Sequence, residues 1–289
     1  HLEAAYKAAH FEIMQRDAEF LARAYGWSAD ILKPQDMWRH IYGGGYHGAI
    51  YDPRGGHFHP LNYALGLAQA ARDAGVVIYE NSRVNLADVK AQTIILATDT
   101  WMGELAPDLG RYTVPIMNYN IATAPLPHAD ALLPSDAAVA DSRFVLNYFR
   151  LSADKRLLFG GGEKYVQRPP ADIGAFVRKH IVKVFPSLAD TAIDYAWGGP
   201  VGVTMNRLPH LGRKQAGSGR TIFFAHGFSG HGALVTTLAG ELLAEAVAGT
   251  MERFDVFASL PQRPFPGGRL LARPLATLGL LWYALRDRL

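Results

Sequence analysis

Three glycines near the C-terminus, Gly227, Gly230 and Gly232, stand where chemistry could be done. They separate an apolar, aromatic run of strand length, Thr221 to Ala225, from a helix-forming stretch, Ala233 to Ala248. Lacking a Cβ, glycine lets such a turn bend sharply and brings backbone close to a ligand. A strand that feeds a glycine turn and a helix aims unpaired N–H groups at whatever lies over the helix start. That arrangement suits a phosphate or an electron-rich ring. Spacing alone leaves a second reading standing, an ordinary tight connection between strand and helix. His57 and His59 precede another helix start, where capping or packing accounts for them better than metal binding does.

The elements that must carry this turn change character along the chain. Leu2 to Tyr25 has an amphipathic helical pattern that Gly26 stops, and Trp38 to Tyr51 reads as a hairpin-like pair of short strands around Gly43, Gly44 and Gly45. Gly43, Gly45 and Gly48 formally match G-x-G-x-x-G, but no helix pattern follows, so the match is accidental. Pro60 opens a helix with Leu61, Ala64, Leu65, Ala68 and Ala71 on one face and Gly75 as its stop. A strand is expected from Val76 to Tyr79, extending toward Val84. Thr93 to Thr98 is a continuous apolar run, as in a parallel sheet covered on both faces. Tyr112 to Thr123, Phe144 to Leu151, Arg156 to Gly160 and Ala192 to Ala196 suit a mostly antiparallel sheet. Between them, Pro169 and Pro170 precede a helix with Ile173, Phe176, Val177, Ile181 and Val184 on one face, ended by Pro186. No internal repeat or low-complexity segment interrupts this order.

A chain of 289 residues with 49% hydrophobic content can bury a large core and is expected to form two domains, or one with a long insertion. The absence of cysteine excludes disulfides, thiolate zinc sites, cysteine nucleophiles and sulfur-linked flavin. Charges run through the N-terminal helical pattern, unlike a signal peptide, so a cytoplasmic location is expected. The net charge of +3 is mild, and its basic residues are scattered without a nucleic-acid module. The first residue is histidine, which suggests an upstream segment or a processed start. Leu270 to Leu289, with Arg273, Arg286 and Arg288, could lie on a membrane surface. Pro274 and the charges make it too interrupted for a comfortable span, and packing on the protein itself is the commoner use, so membrane contact is not expected.

Five blocks in order, GGHFHPLNYALGLAQAA, IILATDTW, YFRLSADKRLLFGG, WGGPVGVTMNRLPHLG and AHGFSGHGALVTTLAGELLAEAVAG, resemble the FAD-dependent oxidoreductases of the D-amino-acid oxidase type. Within that family the γ-glutamylputrescine oxidoreductase branch looks nearest, and the resemblance spans essentially the whole chain. It implies α/β plus antiparallel β structure: an incomplete Rossmann-like FAD domain of the glutathione-reductase type, interleaved with an antiparallel-sheet substrate domain. On this basis residues 1–56 and 112–197 form the substrate domain, 57–111 and 198–260 the partial FAD domain, and 261–289 a helical tail. The resemblance places Val84 near the adenine side, Ala97, Thr98 and Trp101 near the flavin, and Gly230, His231, Gly232 and Ala233 by the ring. Val84 could equally be plain core, Ala97 and Thr98 a buried strand end, and His231 structural. Tyr148 and Arg150 could face the substrate, with a solvated arginine as the alternative. No catalytic acid or base is assigned, because the family's flavin takes a hydride from the carbon bearing the amine and the protein need only position it. The implied products are an imine or aldehyde, ammonia and hydrogen peroxide, with oxygen as electron acceptor.

Departures from the family pattern narrow the expectation. Amino-acid oxidases of this type resemble G-L-R-P-L-T-P-D-G-L-P-V-I-G, whose arginine clamps an α-carboxylate. In the corresponding run, Gly199 to Gly212, Val201 holds the clamp position and Asn206 the acidic one. Valine cannot pair with a carboxylate, so a small-molecule amine of the γ-glutamylputrescine kind is expected as substrate. The family's first strand, its G-x-G-x-x-G turn and its ribose-binding acid have no counterpart here. Only Asn85 to Gln92 links Val84 to Thr93, where relatives carry a longer insertion, so an open sheet is expected. A non-catalytic remnant, or a subunit needing a separate FAD-binding segment, is the alternative function.

Overall fold

The computed structural model of the chain describes residues 1–162 and 169–286. Among them the strands are β1 (Leu2–Ala4), β2 (Asp30–Leu32), β3 (Ala49–Tyr51), β4 (Thr93–Leu96), β5 (Val114–Thr123), β6 (Val139–Asp141), β7 (Tyr148–Leu151), β8 (Leu157–Gly160), β9 (Ile193–Val203), β10 (His210–Ala216) and β11 (Arg220–His226). The helices are α1 (Ala8–Tyr25), α2 (Pro60–Asp73), α3 (Met102–Leu105), α4 (Pro107–Gly110), α5 (Ala129–Leu132), α6 (Ile173–Val184), α7 (Gly232–Val247), α8 (Glu252–Ala258) and α9 (Gly268–Arg286). Two compact units interleave in sequence. One comprises His1–Tyr63, Asn118–Gly199 and the residues from Trp282 onward; the other comprises Ala64–Met117 and Pro200–Leu281.

The first unit is organised by a sheet in the order β2-β3-β1-β6-β7-β8-β5-β9. Its β6–β7, β7–β8 and β5–β8 pairs are antiparallel, whereas β1 and β6 run parallel. Alternation along β7 and β8 buries Phe149, Leu151, Leu157 and Phe159, with the Phe149 ring 5.5 Å from Phe159 and 5.2 Å from Phe185. The Asp172 carboxylate accepts the Ala175 N–H at 2.8 Å and starts α6, which buries Val177, Ile181 and Val184 as the apolar spacing predicts. A buried carboxylate joins distant segments: Asp141 pairs with Arg143, accepts the Asn147 N–H at 3.0 Å and takes a hydrogen bond from the Tyr46 hydroxyl. The Arg143 guanidinium in turn lies 3.7 Å from the centre of the Tyr6 ring.

The second unit holds a three-stranded sheet, β10-β11-β4, antiparallel at β10–β11 and parallel at β11–β4. β11 is buried on both faces. Phe223 and Ala225 pack with Leu242, Leu243, Ala246 and Phe254, while Ile222 and Phe224 pack with Leu96, Met102 and Leu109. These two layers fix where β11 ends, and hence where the glycine turn begins.

Four local expectations need correction. Leu2–Ala4 is a strand rather than the first turn of a helix, because its backbone pairs with both β3 and β6. No hairpin forms over residues 38–51: Pro34–Arg39 is a 3-10 turn, and β3 pairs instead with β1 and β2. Residues 76–84 form no strand and lie exposed, for no neighbouring strand completes a ladder with them. β4 is an edge strand that buries only Leu96, not a strand covered on both faces. By contrast, Gly43, Gly45 and Gly48 lead into β3 and open no helix. The His59 ring accepts the Asn62 N–H at 3.2 Å, which caps α2.

Candidate functional site

The turn after β11 is held by steric and backbone demands at once. Gly227 has φ +70°, and a Cβ there would lie 2.5 Å from Thr204 Cγ2 and 2.9 Å from Thr113 Cγ2. Only glycine fits such a conformation without strain. Ser229 and Gly230 continue the turn with φ values of +53° and +91°. His231 donates its backbone N–H to Phe228 O at 2.9 Å, and α7 begins at Gly232 without a side-chain cap. The first-turn N–H groups of α7 are thus left for another partner.

Beside this turn lies a pocket of about 500 Å³, whose wall belongs wholly to the second unit. Ala97 follows β4, and Ala225 and Phe228 bracket the end of β11. The pocket therefore sits at the carboxyl ends of the two parallel strands, where ligands bind in open α/β sheets. Gly232, Thr236, Ala239, Gly240 and Leu243 give it one stripe of α7, and Pro200, Val201 and Gly202 add a stretch of β9. Gly230 presents bare backbone, since a Cβ there would meet nothing within 4 Å.

Of the residues singled out in the sequence, Ala97, Gly230 and Gly232 line this pocket together. Thr98 is half-buried beside it, with its hydroxyl toward Met102 Sδ at 3.8 Å. His231 and Ala233 flank the turn with exposed side chains, Trp101 is exposed, and Val84 is exposed in the coil after residue 76. Tyr148 and Arg150 belong to the first unit. They share one face of β7, opposite buried Phe149 and Leu151. The Tyr148 hydroxyl donates to Asn118 Oδ1, which also accepts from Asn120 Nδ2 at 3.1 Å. Arg150 donates to Leu151 O at 3.2 Å and lies 3.4 Å from His57 Nδ1, and burial lowers its pKa while Asp136 opposes that shift.

Two features escaped the sequence reading. Asp99 contributes the pocket's one charged side chain among the described residues. Its carboxylate accepts the Gly227 N–H at 2.7 Å and the Gly202 N–H at 3.2 Å. Nothing in a spacing pattern marks an aspartate after a strand as the acceptor for two remote glycines. The second feature is a histidine pair. His226, the last residue of β11, is fully buried with Nε2 2.9 Å from His210 Nδ1, and the rings of Tyr112 and Phe224 flank His210. Burial pushes His210 down to about 4; burial and then its neighbour's charge push His226 down to about 3. Both rings are neutral at neutral pH.

The family model for FAD dependent oxidoreductases matches residues 1–246. The chain belongs to that family. Among curated relatives, γ-glutamylputrescine oxidoreductase of Escherichia coli (strain K12) is 39% identical over 276 residues, covering 90% of this chain and 64% of the relative. A probable oxidoreductase OrdL of Rhizobium meliloti (strain 1021) is 33% identical over 302 residues, covering 99% of this chain and 70% of the relative. The chain therefore spans about two thirds of the length of these proteins. Two solved structures share its fold. Glycine oxidase from Geobacillus kaustophilus has a TM-score of 0.71 at 22% identity, covering 86% of this chain and 70% of that one. L-proline dehydrogenase from P. horikoshii has a TM-score of 0.72 at 19% identity, covering 85% and 71%. These likenesses agree with the Rossmann-like and antiparallel architecture expected from the five sequence blocks. Among the described residues no group of His, Asp or Glu could hold a metal ion, and no helix is long and apolar enough to cross a membrane.

Proposed function

We propose that the chain carries the flavin-ring and substrate portions of an FAD-dependent amine oxidoreductase acting on γ-glutamylputrescine or a close analogue. The observation that carries this reading is the glycine-walled pocket at the carboxyl ends of β4 and β11 in a chain of this family. A flat aromatic ring needs close backbone approach, apolar walls and donors for charge that builds up on it. Gly230 and Gly232 offer the first, Val201, Ala225 and Leu243 the second, and the uncapped start of α7 the third. The residues present thus fit the isoalloxazine part of FAD. Ala97 and the Gly230–Gly232 backbone are the groups assigned to hold it, with Thr98, Trp101, His231 and Ala233 around them and Val84 toward the adenosine end.

When bound, FAD supplies a two-electron sink for the C–H bond beside a neutral amine. The protein's part is to hold that carbon in place and to keep water away while the amine is unprotonated. Phe228 and Leu243 supply apolar cover on the pocket wall. The products expected of that chemistry would be an aldehyde and ammonia, from hydrolysis of the imine by water, and hydrogen peroxide, with oxygen as the electron acceptor. Val201 lines the pocket where the amino-acid oxidase pattern has its carboxylate-pairing arginine, and the Asn206 amide is already engaged, accepting the Leu208 N–H at 3.1 Å and donating to Pro261 O. Neither holds an α-carboxylate, which favours an amine whose acidic group lies elsewhere. Tyr148 and Arg150 are the proposed substrate contacts on the first unit.

The test uses the purified protein with added FAD, followed by gel filtration, an absorption spectrum and a peroxidase-coupled assay. A retained flavin spectrum and peroxide release with γ-glutamylputrescine, far above that with glycine or proline, are expected. Faster turnover of a free α-amino acid would overturn the substrate assignment, and failure to retain FAD would overturn the cofactor site.

A further inference from the structure

The wall of the pocket is tied together at one side chain. Asp99, three residues beyond the end of β4, takes φ +37°, a left-handed conformation that is strained for a residue with a Cβ. In that pose its two oxygens reach two segments more than one hundred residues away: Oδ1 accepts from Gly227, at the start of the turn, and Oδ2 from Gly202, at the end of β9. The fit is close on both sides. A Cβ at Gly202 would lie 2.7 Å from the Asp99 carboxylate, so glycine is required there for the contact to form. The same two segments are cross-linked again where Ser229 N–H meets Gly202 O at 2.9 Å and Thr204 N–H meets Ser229 Oγ at 3.2 Å. Among the described residues the Asp99 carboxylate is met by these two backbone N–H groups and forms no ion pair, so its charge stands on the pocket wall.

We propose that Asp99 is the positioning residue of this pocket: it clasps the Gly202 and Gly227 backbones into one wall and gives that wall its negative charge. A backbone strained at Asp99 is held by two charge-assisted hydrogen bonds, each stronger than a neutral one. The consequence for a bound flavin is electrostatic. A negative charge on the wall disfavours adding electrons to the ring, so Asp99 keeps the reduction potential low. This second consequence rests on the proposed FAD site; the clasp itself does not.

The decisive variant is Asp99→Asn, which keeps size and shape but has one acceptor oxygen, its amide N–H groups facing a donor at the other contact. Hydrogen exchange of the flavin-free protein is followed at residues 200–204 and 227–231. About tenfold faster exchange is expected at the Gly202 segment, the longer of the two contacts, with α1 unchanged as the internal reference. Unchanged exchange at both segments would overturn the clasp. Asp99→Glu, which keeps the charge and both oxygens, is expected to exchange more slowly than Asp99→Asn at the Gly202 segment; equal or faster exchange also counts against the clasp. On the FAD-loaded protein, Asp99→Asn should raise the flavin midpoint potential, and an unchanged or lowered potential would refute the electrostatic role. If the unsubstituted protein retains no FAD, the proposed cofactor site fails, and the exchange measurement still decides the clasp.

Discussion

Helices α2 and α7 make an instructive pair. Both follow turn residues, and both were expected as helices from the sequence. α7 buries Ala239, Leu242, Leu243 and Ala246 against β11 and α8. α2 buries no residue: Leu61 is 61% exposed and Leu65 58%. The strand-like run next to each helix, after α2 and before α7, diverges in the same way. The run Val76–Val77–Ile78–Tyr79 has strand composition yet forms no strand, and Tyr79 is 80% exposed, whereas β11 is paired on both sides. A helix satisfies its own backbone hydrogen bonds, so α2 persists without a partner layer. A strand has no such recourse, and apolar composition is no substitute for a neighbour.

The contrast makes measurable claims. Phe254→Ala, which removes the aromatic ring from the core beneath α7, should lower stability by about 3–5 kcal/mol in urea unfolding. A loss below about 1 kcal/mol would mean that this core is not tightly packed. Next in size is the acid response of the histidine pair beside the pocket. His210 and His226 have folded-state pKa values depressed below that of an unfolded histidine, so their contribution to stability is complete above about pH 6.5 and is lost as pH falls toward about 4. At pH 5 the loss should be about 2 kcal/mol for fully buried His226 and less for partly exposed His210, and His210→Gln should flatten that part of the profile. An unchanged profile in the variant would show that the pair is not the group being protonated.

Smaller effects separate pocket from scaffold. Gly230→Ala places a Cβ in open space but at φ +91°, so a stability loss of about 1 kcal/mol is expected, with a larger proportional loss of FAD affinity. If affinity fell only as stability did, Gly230 would be a turn residue and no more. Leu65→Ser, on the uncovered face of α2, should shift stability by less than about 0.5 kcal/mol and improve solubility at high concentration. A loss as large as that of Phe254→Ala would mean that Leu65 is covered in solution.

What could be read from the sequence follows the same physical line. Caps and periodicity are local, so the Gly26 stop, the Pro60 start and the buried stripe of α6 are all visible in the residues themselves. Pairing is not local. β1 and β6 are three residues each, too short to show alternation, and 76–84 shows a strand pattern with no strand. The turn at Gly227–Gly232 could be found because glycine spacing is legible, and Ala97 was reached through the family pattern. Asp99 and the His210–His226 pair could not be found, since each depends on segments brought together only by folding. Tyr148 and Arg150 share a face because residues two apart on a strand must, but which ligand that face meets is not written in its spacing.

The buried carboxylate of Asp141 has a consequence for how the first unit assembles. β6 is only three residues long, and its apolar content alone could pair with β1 and β7 in more than one offset. Arg143 would move with Asp141, but a slip against β7 would carry the carboxylate away from the Asn147 N–H, and a slip against β1 from the Tyr46 hydroxyl, leaving a buried charge short of its hydrogen bonds. One aspartate thus acts as an alignment pin for the middle of the sheet, rejecting misregistered assemblies that hydrophobic contacts alone would tolerate.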